Sequence, residues 1–539
     1  MSVPISASSS VTLSALMYEH PDGTRVFDGL DATFTVGRTG LVGRNGSGKS
    51  TLLQIISGEL SPARGSVTAS GSVAYLPQDI TLDPTVSVAT VLGIDTARTA
   101  LRRIESGDGT ADDFDAVGDR WDVEERALAT VHRLGLDRIL HDENDFDRTV
   151  GTLSGGETVL LGLTARLLAE PAVLLLDEPT NNLDPAGRGR LHDALDRFPG
   201  TVIVAGHDRE LLERMESIAE LRDGSLRMFG GGFSDYEQIV EAEQEAAQAA
   251  VRDARSDVHR QARELAAAQI TLDRRARYGK KMFENKREPK IIMGMRKRQA
   301  QESAGRYRRE HEGNLESARA QLDRAQDAVR NDREIRVDLP GTSVHSGRRV
   351  ADGPLEIVGP ERIAVRGPNG SGKTTLLGRI AVAGPLVPYA LLPQRLDIFD
   401  DTKSVVANAE MRAPHLPPQE VRARLARFLF RGSDADVPVG VLSGGERLRA
   451  ALAIILAADP APQLLILDEP TNNLDLPSLA HLTQALQAFE GALVVVSHDE
   501  RFLDEIGVTR SVVQSMPPRD TGAPDACARP GSCTAGSDG

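Results

Sequence analysis

The phosphate-loop pattern Gly-x-x-x-x-Gly-Lys-[Ser/Thr] occurs twice in this chain, and the same four motifs follow each copy in the same order. Residues 43–50 read GRNGSGKS and residues 367–374 read GPNGSGKT. Each is followed by Pro-Gln (Gln78; Gln394), LSGGE (153–157; 442–446), an apolar run ending in DEPTNNLD (from Asp177; from Asp468), and His-Asp (His207; His498). Glu178 precedes His207, and Glu469 precedes His498, by the same 29 residues. One phosphate-loop match is weak by itself. A doubled, ordered series of five motifs restricts the chain to an α/β fold made of two P-loop nucleotide-binding cassettes in tandem.

Each glycine-rich loop follows a short apolar strand (40–42; 363–365) and opens a helix at Lys49 or Lys373. Gly43, Asn45, Gly46 and Gly48, and in the second copy Gly367, Asn369, Gly370 and Gly372, are expected to turn backbone N–H groups onto phosphates at a helix N-terminus. Lys49 and Lys373 neutralise the β- and γ-phosphates. Ser50 and Thr374 offer hydroxyls to Mg2+, with Thr51 and Thr375 beside them. Gln78 and Gln394 are assigned to both the nucleotide and the metal. VLLLDE and LLILDE are continuous apolar runs, expected of strands buried on both faces of a parallel sheet. Successive residues at a strand end point opposite ways. Asp177 and Asp468 are therefore expected to approach Mg2+, and Glu178 and Glu469 to face the attacking water as general bases. A lone histidine is more often structural than catalytic, but His207 and His498 end a second apolar strand at matching positions, where a hydrogen bond to the γ-phosphate is expected. Ser154, Gly155 and Gly156, and Ser443, Gly444 and Gly445, open another helix and so another anion-binding end. They lie too far along the chain to add much to a phosphate loop that has its own lysine.

The cassettes are expected over residues 1–236 and 337–516 and are not equal. Lys49 and Gln78 are 29 residues apart, but Lys373 and Gln394 only 21; from the Gln to the signature Ser the spacings are 76 and 49. The second copy is thus abbreviated in both halves, and the helical segment 95–140 has shrunk in it. Between the cassettes, 237–336 places apolar residues at Val251, Ala254, Val258, Leu265, Ala268 and Leu272, and at Leu315, Ala318, Leu322, Ala325 and Val329. That is a coiled-coil seam. The spacing predicts two antiparallel helices, the first over 237–277, joined where Gly279, Pro289 and Gly294 interrupt the pattern.

Net charge is −15, which argues against a nucleic-acid partner until the charge is mapped. Residues 274–309 hold 14 Lys+Arg against 3 acids, a net +11, so the remainder carries −26. Five of the chain's eight lysines (Lys280, Lys281, Lys286, Lys290, Lys297) lie there. Charged helical pairs are commonly solvated spacers, but this focus of cations reads as a polyanion contact, with Tyr278, Phe283 and Met293 interleaved to stack on bases or to cap the coil. No run of 18 apolar residues exists, and MSVPISASSS does not read as a secretory signal. Cys527 and Cys533 imply no disulfide framework, which suits a reducing cytoplasm. The Gly/Pro/Ser/Asp-rich tail 517–539 is expected to be disordered.

These motifs resemble the ATP-binding cassette superfamily, in which two cassettes pair head to tail and each LSGG signature closes over the other's ATP. The resemblance implies site one from Lys49, Ser50, Gln78, Asp177, Glu178 and His207 with Ser443 and Gly445. Site two would join Lys373, Thr374, Gln394, Asp468, Glu469 and His498 to Ser154 and Gly156. Tandem cassettes, LSGGE rather than LSGGQ, and a basic helical hairpin are similar to the ABC-F subfamily. That likeness implies a cytoplasmic ATPase at the ribosomal exit tRNA site, its linker directed at the peptidyl tRNA and large-subunit RNA. Some members adjust translation and others dislodge ribosome-targeting antibiotics. The resemblance also implies a monomer with its two cassettes paired internally. The aromatic residue that the family stacks on adenine has Tyr18 or His20 as candidates in the first cassette and only His345 in the second. Two other readings stay open: the ATPase subunit of a transporter with a separate membrane partner, for which the basic hairpin has no evident use, and a DNA-repair ATPase, which would need a longer coiled coil.

Overall fold

The computed structural model describes residues 10–80, 83–137, 139–181, 183–284, 290–329, 339–394, 396, 398–472 and 474–515, with several side chains between 279 and 300 excepted. The tail with its two cysteines lies outside the described residues, as do Lys286 and Pro289 and the side chains of Phe283, Lys290, Met293 and Lys297.

The first cassette runs β1 (Val11–Glu19), β2 (Arg25–Phe34), β3 (Gly37–Val42), α1 (Lys49–Ser57), β4 (Arg64–Ala69) and β5 (Val73–Leu76). Helices α2 (Val88–Val91), α3 (Asp95–Glu105), α4 (Ala111–Val117), α5 (Val123–Arg133) and α6 (Gly155–Leu168) follow. It then continues β6 (Val173–Asp177), α7 (Pro185–Asp196), β7 (Thr201–Ala205), α8 (Arg209–Glu213), β8 (Ser217–Arg222) and β9 (Ser225–Gly230). The main sheet has the order β5-β6-β7-β3-β8-β9, parallel except for the β8–β9 hairpin, and an antiparallel layer β2-β1-β4 packs beside it. All five residues of β6 are buried, and they alternate between two cores. Val173 and Leu175 face α1 and the antiparallel layer, while Leu174 and Leu176 face the helical segment. Burial on both faces explains the uninterrupted apolar run. Because β6, β7 and β3 are neighbours, Asp177, His207 and Lys49 emerge together at the carboxyl ends of adjacent parallel strands, where α/β sheets bind ligands.

The linker is a pair of long helices, α9 (Phe233–Glu284, 52 residues) and α10 (Lys290–Ala328, 39 residues). All eleven seam positions are buried or half-buried, Ala268 and Ala318 most completely. The expected 237–277 limits are too short. Phe233 and Tyr236 dock in the core of the first cassette, which starts the helix earlier. Gly279 and Gly294 do not interrupt it, since one lies inside α9 and the other inside α10. One interior glycine costs only about 1 kcal/mol, which the surrounding Arg, Lys, Ala and Glu tolerate. At ~1.5 Å per residue α9 is ~80 Å long, and Arg274, Arg275, Arg277, Lys280 and Lys281 lie within its last turns.

The second cassette comprises β10 (Arg349–Ala351), β11 (Ile357–Val358), β12 (Arg362–Arg366), α11 (Lys373–Val382), β13 (Tyr389–Leu392), α12 (Val405–Arg412), α13 (Pro418–Arg427) and α14 (Gly444–Leu456). It ends with β14 (Leu464–Asp468), α15 (Leu476–Gln487), β15 (Ala492–Val496), α16 (Glu500–Glu505) and β16 (Arg510–Val513). Its sheet order, β13-β14-β15-β12-β16, matches the first, all parallel. The missing residues are now located: a two-stranded β10–β11 ribbon replaces the three-stranded layer, and α12 and α13 stand where the first cassette has α2 to α5.

Candidate functional site

The two phosphate loops have the same geometry. Gly46 and Gly370 both take φ 79°, and the helix-capping Gly48 and Gly372 take 100° and 88°, a region that favours glycine. The buried lysines fold back over their loops. Lys49 Nζ donates to Gly43 O at 2.8 Å and Arg44 O at 3.2 Å, and Lys373 Nζ to Gly367 O at 2.7 Å and Pro368 O at 3.3 Å. Burial lowers the Lys49 ammonium from its ordinary value, opposed by the carboxylates of Glu178, Asp475 and Asp177.

Beside each lysine a hydroxyl neighbours a carboxylate: Ser50 lies by Asp177, and Thr374 by Asp468. Asp177 Oδ1 and Asp468 Oδ1 are buried without a hydrogen-bond partner. An oxygen-only set with an unpaired buried carboxylate oxygen fits a small hard cation such as Mg2+. Tyr75, which the motifs do not reveal, donates to the other Asp177 oxygen at 3.3 Å; the matching position in the second cassette is Leu391. Asn45, Gly46, Gly48, Lys49, Ser50, Thr51, Gln78, Asp177 and Glu178 line one cavity of ≈ 350 Å³, together with His20. His20 packs edge-to-face against Tyr18, 5.4 Å between ring centroids. Of the two adenine candidates, His20 is therefore the one that faces the site.

The second site is barer. A Cβ on Gly48 would meet Val26 and Phe27 of β2, whereas one on Gly372 would meet nothing. Thr374 and Thr375 are exposed, as is His345, while Thr51 is buried. Gln394 is exposed after β13, and no described contact brings it to Thr374 or Asp468.

Glu178 and Glu469 both adopt left-handed backbone, φ 47° and 45°, and their N–H groups donate to Ala205 O and Val496 O on the neighbouring strand. Such conformations cost on the order of 1–3 kcal/mol in a non-glycine residue, and the same strain occurs twice. Each carboxylate lies 3.2 Å from the histidine Nε2 of its own cassette, His207 or His498. Burial raises Glu178 to about 8 and Glu469 to about 7, opposed by Lys49 and Lys373. Burial, aided by the same lysines, lowers His207 to about 3 and His498 to about 4. The imidazoles are therefore neutral, these contacts are not ion pairs, and His498 Nε2 sits 3.2 Å from Lys373 Nζ as an acceptor.

The LSGGE serines cap their helices. Ser154 and Ser443 form capping boxes with Glu157 and Glu446, the mutual Ser–Glu arrangement that accounts for the glutamate in the motif. The cassettes meet head to tail around the first site. Ser443, Gly445 and Glu446 share one cavity with Gly43, Arg44, Asn45, Gly46 and Ser47. Asn45 N donates to Asp475 Oδ2 at 2.8 Å across the interface. Arg209 pairs with Glu505 at 2.7 Å, and Arg501 with Glu237 at 2.6 Å. In the second site the residues that approach are Asp184, whose charge acts on Lys373, and Arg188, whose charge acts on Glu469. Gly445 is buried but Gly156 only half-buried, so the two signatures are not equally enclosed. Asp184 and Asp475 end the repeated DEPTNNLD motif, and the repetition itself was the signal that they matter.

The ABC transporter family model matches residues 28–181, and an AAA domain model matches residues 388–504. The chain is 32% identical over 506 residues to the tylosin resistance ATP-binding protein TlrC of Streptomyces fradiae, covering 86% of this chain and 90% of that one. It is 30% identical over 526 residues to the energy-dependent translational throttle protein EttA of Escherichia coli, covering 90% and 89%. Among solved structures it shares the fold of an RNase-L inhibitor, with TM-score 0.53, 19% identity, and coverage of 93% of this chain and 87% of that one. No described helix is long and apolar enough to cross a membrane. With two P-loop cassettes, a helical linker between them and relatives aligned over nearly its whole length, the chain belongs to the ABC-F subfamily of ATP-binding cassette proteins and is an ATP hydrolase.

Proposed function

We propose that this protein is a cytoplasmic, ribosome-binding ATPase that acts as a monomer. In this reading ATP closes the two cassettes on each other, hydrolysis releases them, and the cycle gates residence near the exit and peptidyl tRNA sites. The observation that carries the reading is the charge of the hairpin. Residues 274–309 carry a net +11 while the rest of the chain carries −26; the described part of this stretch is the last turns of α9 and the first half of α10, with Tyr278, Met295 and Tyr307 exposed there. RNA is recognised by such phosphate-neutralising cations and by aromatic groups on which bases stack. The names of the relatives, tylosin resistance and translational throttle, agree with a ribosomal target. Drug-susceptibility profiling of a deletion strain separates antibiotic protection from control of translation.

In the chemistry, the loop N–H groups with Lys49 and Lys373 bind the β- and γ-phosphates. Ser50 and Asp177 with Gln78, and Thr374 and Asp468, would hold Mg2+, which supplies charge neutralisation on those phosphates. Glu178 and Glu469 take the proton of the attacking water. His207, both of whose ring nitrogens are buried without a hydrogen-bond partner, and His498 orient the γ-phosphate. Ser443 and Gly445 complete site one, and Ser154 and Gly156 complete site two. The test is Glu178→Gln with Glu469→Gln. That variant should bind ATP, lose turnover, accumulate on ribosomes with ATP and inhibit protein synthesis. Normal turnover would sink the base assignment, and absence from ribosomes would sink the partner.

A further inference from the structure

Each histidine of the repeated motifs is followed at once by a short helix, α8 after His207 and α16 after His498, and the next residue, Asp208 or Asp499, caps that helix. From there onward the two copies carry opposite charges at three matching positions: Arg209 against Glu500, Glu210 against Arg501, and Arg214 against Glu505. Identical copies facing each other would set like charges together. The reversed ones pair across the interface, where Arg209 Nη1 donates to Glu505 Oε1 at 2.7 Å with both side chains mostly buried. Glu505 also accepts from Arg501 Nε at 3.1 Å. Arg501 Nη2 in turn donates to Glu237 Oε2 of the linker helix α9 at 2.6 Å, and its guanidinium lies 5.9 Å from the centre of the Phe233 ring. From the other side α8 holds the same end of α9: Glu213 Oε2 accepts from both Ser234 N and Ser234 Oγ at 2.8 Å.

We infer that α8 and α16 together set the direction of the helical hairpin, and that Arg501 is the residue through which the second cassette takes hold of it. The inference rests on the reading of ATP as the agent that closes the cassettes, and it adds the place where closure reaches the linker. Phe233 and Tyr236 anchor α9 in the core of the first cassette, with Tyr236 Oη donating to Glu220 Oε1 at 2.9 Å. Those contacts lie within one cassette and persist when the two separate. The Arg501–Glu237 pair exists only while the cassettes are together. A ligand moves an equilibrium only through contacts that differ between its states, and this pair is such a contact. Held by the first cassette alone, a helix of 52 residues is fixed at one end and free to tilt there, and α16 opposes the tilt. The lever is long: Glu237 to Glu284 spans ~70 Å at ~1.5 Å per residue, so a tilt of about 5° at the base moves the far end by roughly 6 Å. Coupling is reciprocal, so a hairpin held in place by its partner favours the paired cassettes.

The experiment uses the full chain with Cys527→Ser and Cys533→Ser, carrying spin labels in two pairs at exposed positions. Val36→Cys with Val382→Cys reports closure of the cassettes, and Val36→Cys with Met295→Cys reports the hairpin against the first cassette. A non-hydrolysable ATP analogue should shorten the first distance and narrow the distribution of the second. Glu237→Gln and Arg501→Gln should each leave closure in place, because the Arg209–Glu505 and Asn45–Asp475 contacts remain. Each should lower the narrowed hairpin population about two- to fivefold, the range for a partly exposed ion pair. The double variant should be no worse than either single one, since both remove the same contact. A narrowed distribution that survives in both single variants would overturn the inference, as would effects that add in the double variant. Failure of the analogue to bring the cassettes together in the parent would instead remove the clamp reading, and the inference with it.

Discussion

His20 is the residue through which the inequality of the two nucleotide sites can be measured directly. It lines the cavity of Lys49, Ser50 and Gln78, and Tyr18 fixes it edge-to-face at 5.4 Å. The second cassette has only the two-stranded β10–β11 ribbon there, and its His345 is exposed. Stacking of a base on an aromatic side chain is worth about 1–3 kcal/mol. Imidazole offers less area than phenol or indole, so the lower half of that range applies, about 1–2 kcal/mol, or roughly 5–30-fold in Kd. In a Lys373→Ala background, where binding reports the first site, His20→Ala should raise Kd for ATP by that factor and reduce the preference for ATP over other nucleoside triphosphates. In a Lys49→Ala background, His345→Ala should change Kd little. Equilibrium titration with a fluorescent ATP analogue, competed by unlabelled nucleotides, reads both quantities. An unchanged Kd in His20→Ala, or an equal loss in His345→Ala, would refute the reasoning.

Two further outcomes follow from other parts of the molecule. Replacing Lys280, Lys281, Lys286 and Lys290 with Gln should weaken ribosome binding and lower its log–log salt slope by up to about 3–4, since each neutralised phosphate contributes about one unit. Binding of ATP to the free protein should stay as it is, and an unchanged salt slope would make the hairpin a spacer. Gly445→Ala should loosen the closed state, because its Cβ would fall on the Ser478 hydroxyl and against Asp475, whose carboxylate accepts from Asn45 N across the interface. A hydrogen bond to a charged group is worth about 1.5–3 kcal/mol, so ATP-dependent closure followed by inter-cassette distance should fall at least tenfold in its equilibrium constant; an unaltered closed fraction would count against this contact.

What was legible in the sequence is what a short stretch of chain decides by itself. The glycines of the phosphate loops needed positive φ, and they have it at Gly46, Gly48, Gly370 and Gly372. VLLLD and LLILD needed apolar surroundings on both faces, and they are the fully buried β6 and β14. The seam from Val251 to Val329 was readable because a coiled coil repeats. The helix limits were less so. Glycine is a weak breaker, and whether Gly279 ends a helix depends on its neighbours and on where Phe233 and Tyr236 anchor the other end.

The contacts that distinguish the two sites were not legible, for a different reason. Asn45 and Asp475 are 430 residues apart, and neither belongs to the other's motif, so only the pairing of two folded cassettes brings them together. The same holds for Arg188, whose charge acts on Glu469 in the other cassette. A sequence repeat advertises what the two halves share. Here the duplicated motifs supply two sets of phosphate-binding groups, while Tyr75 where the second cassette has Leu391, and His20 without a covered counterpart, set them apart. A clamp needs only that both sites bind ATP. In the proposed clamp the two need not release it at the same rate, and an unequal pair would give opening a defined order, with the bond at one site broken before the other. The residues that impose such an order have to lie outside the repeat, because identical halves would leave the choice to chance.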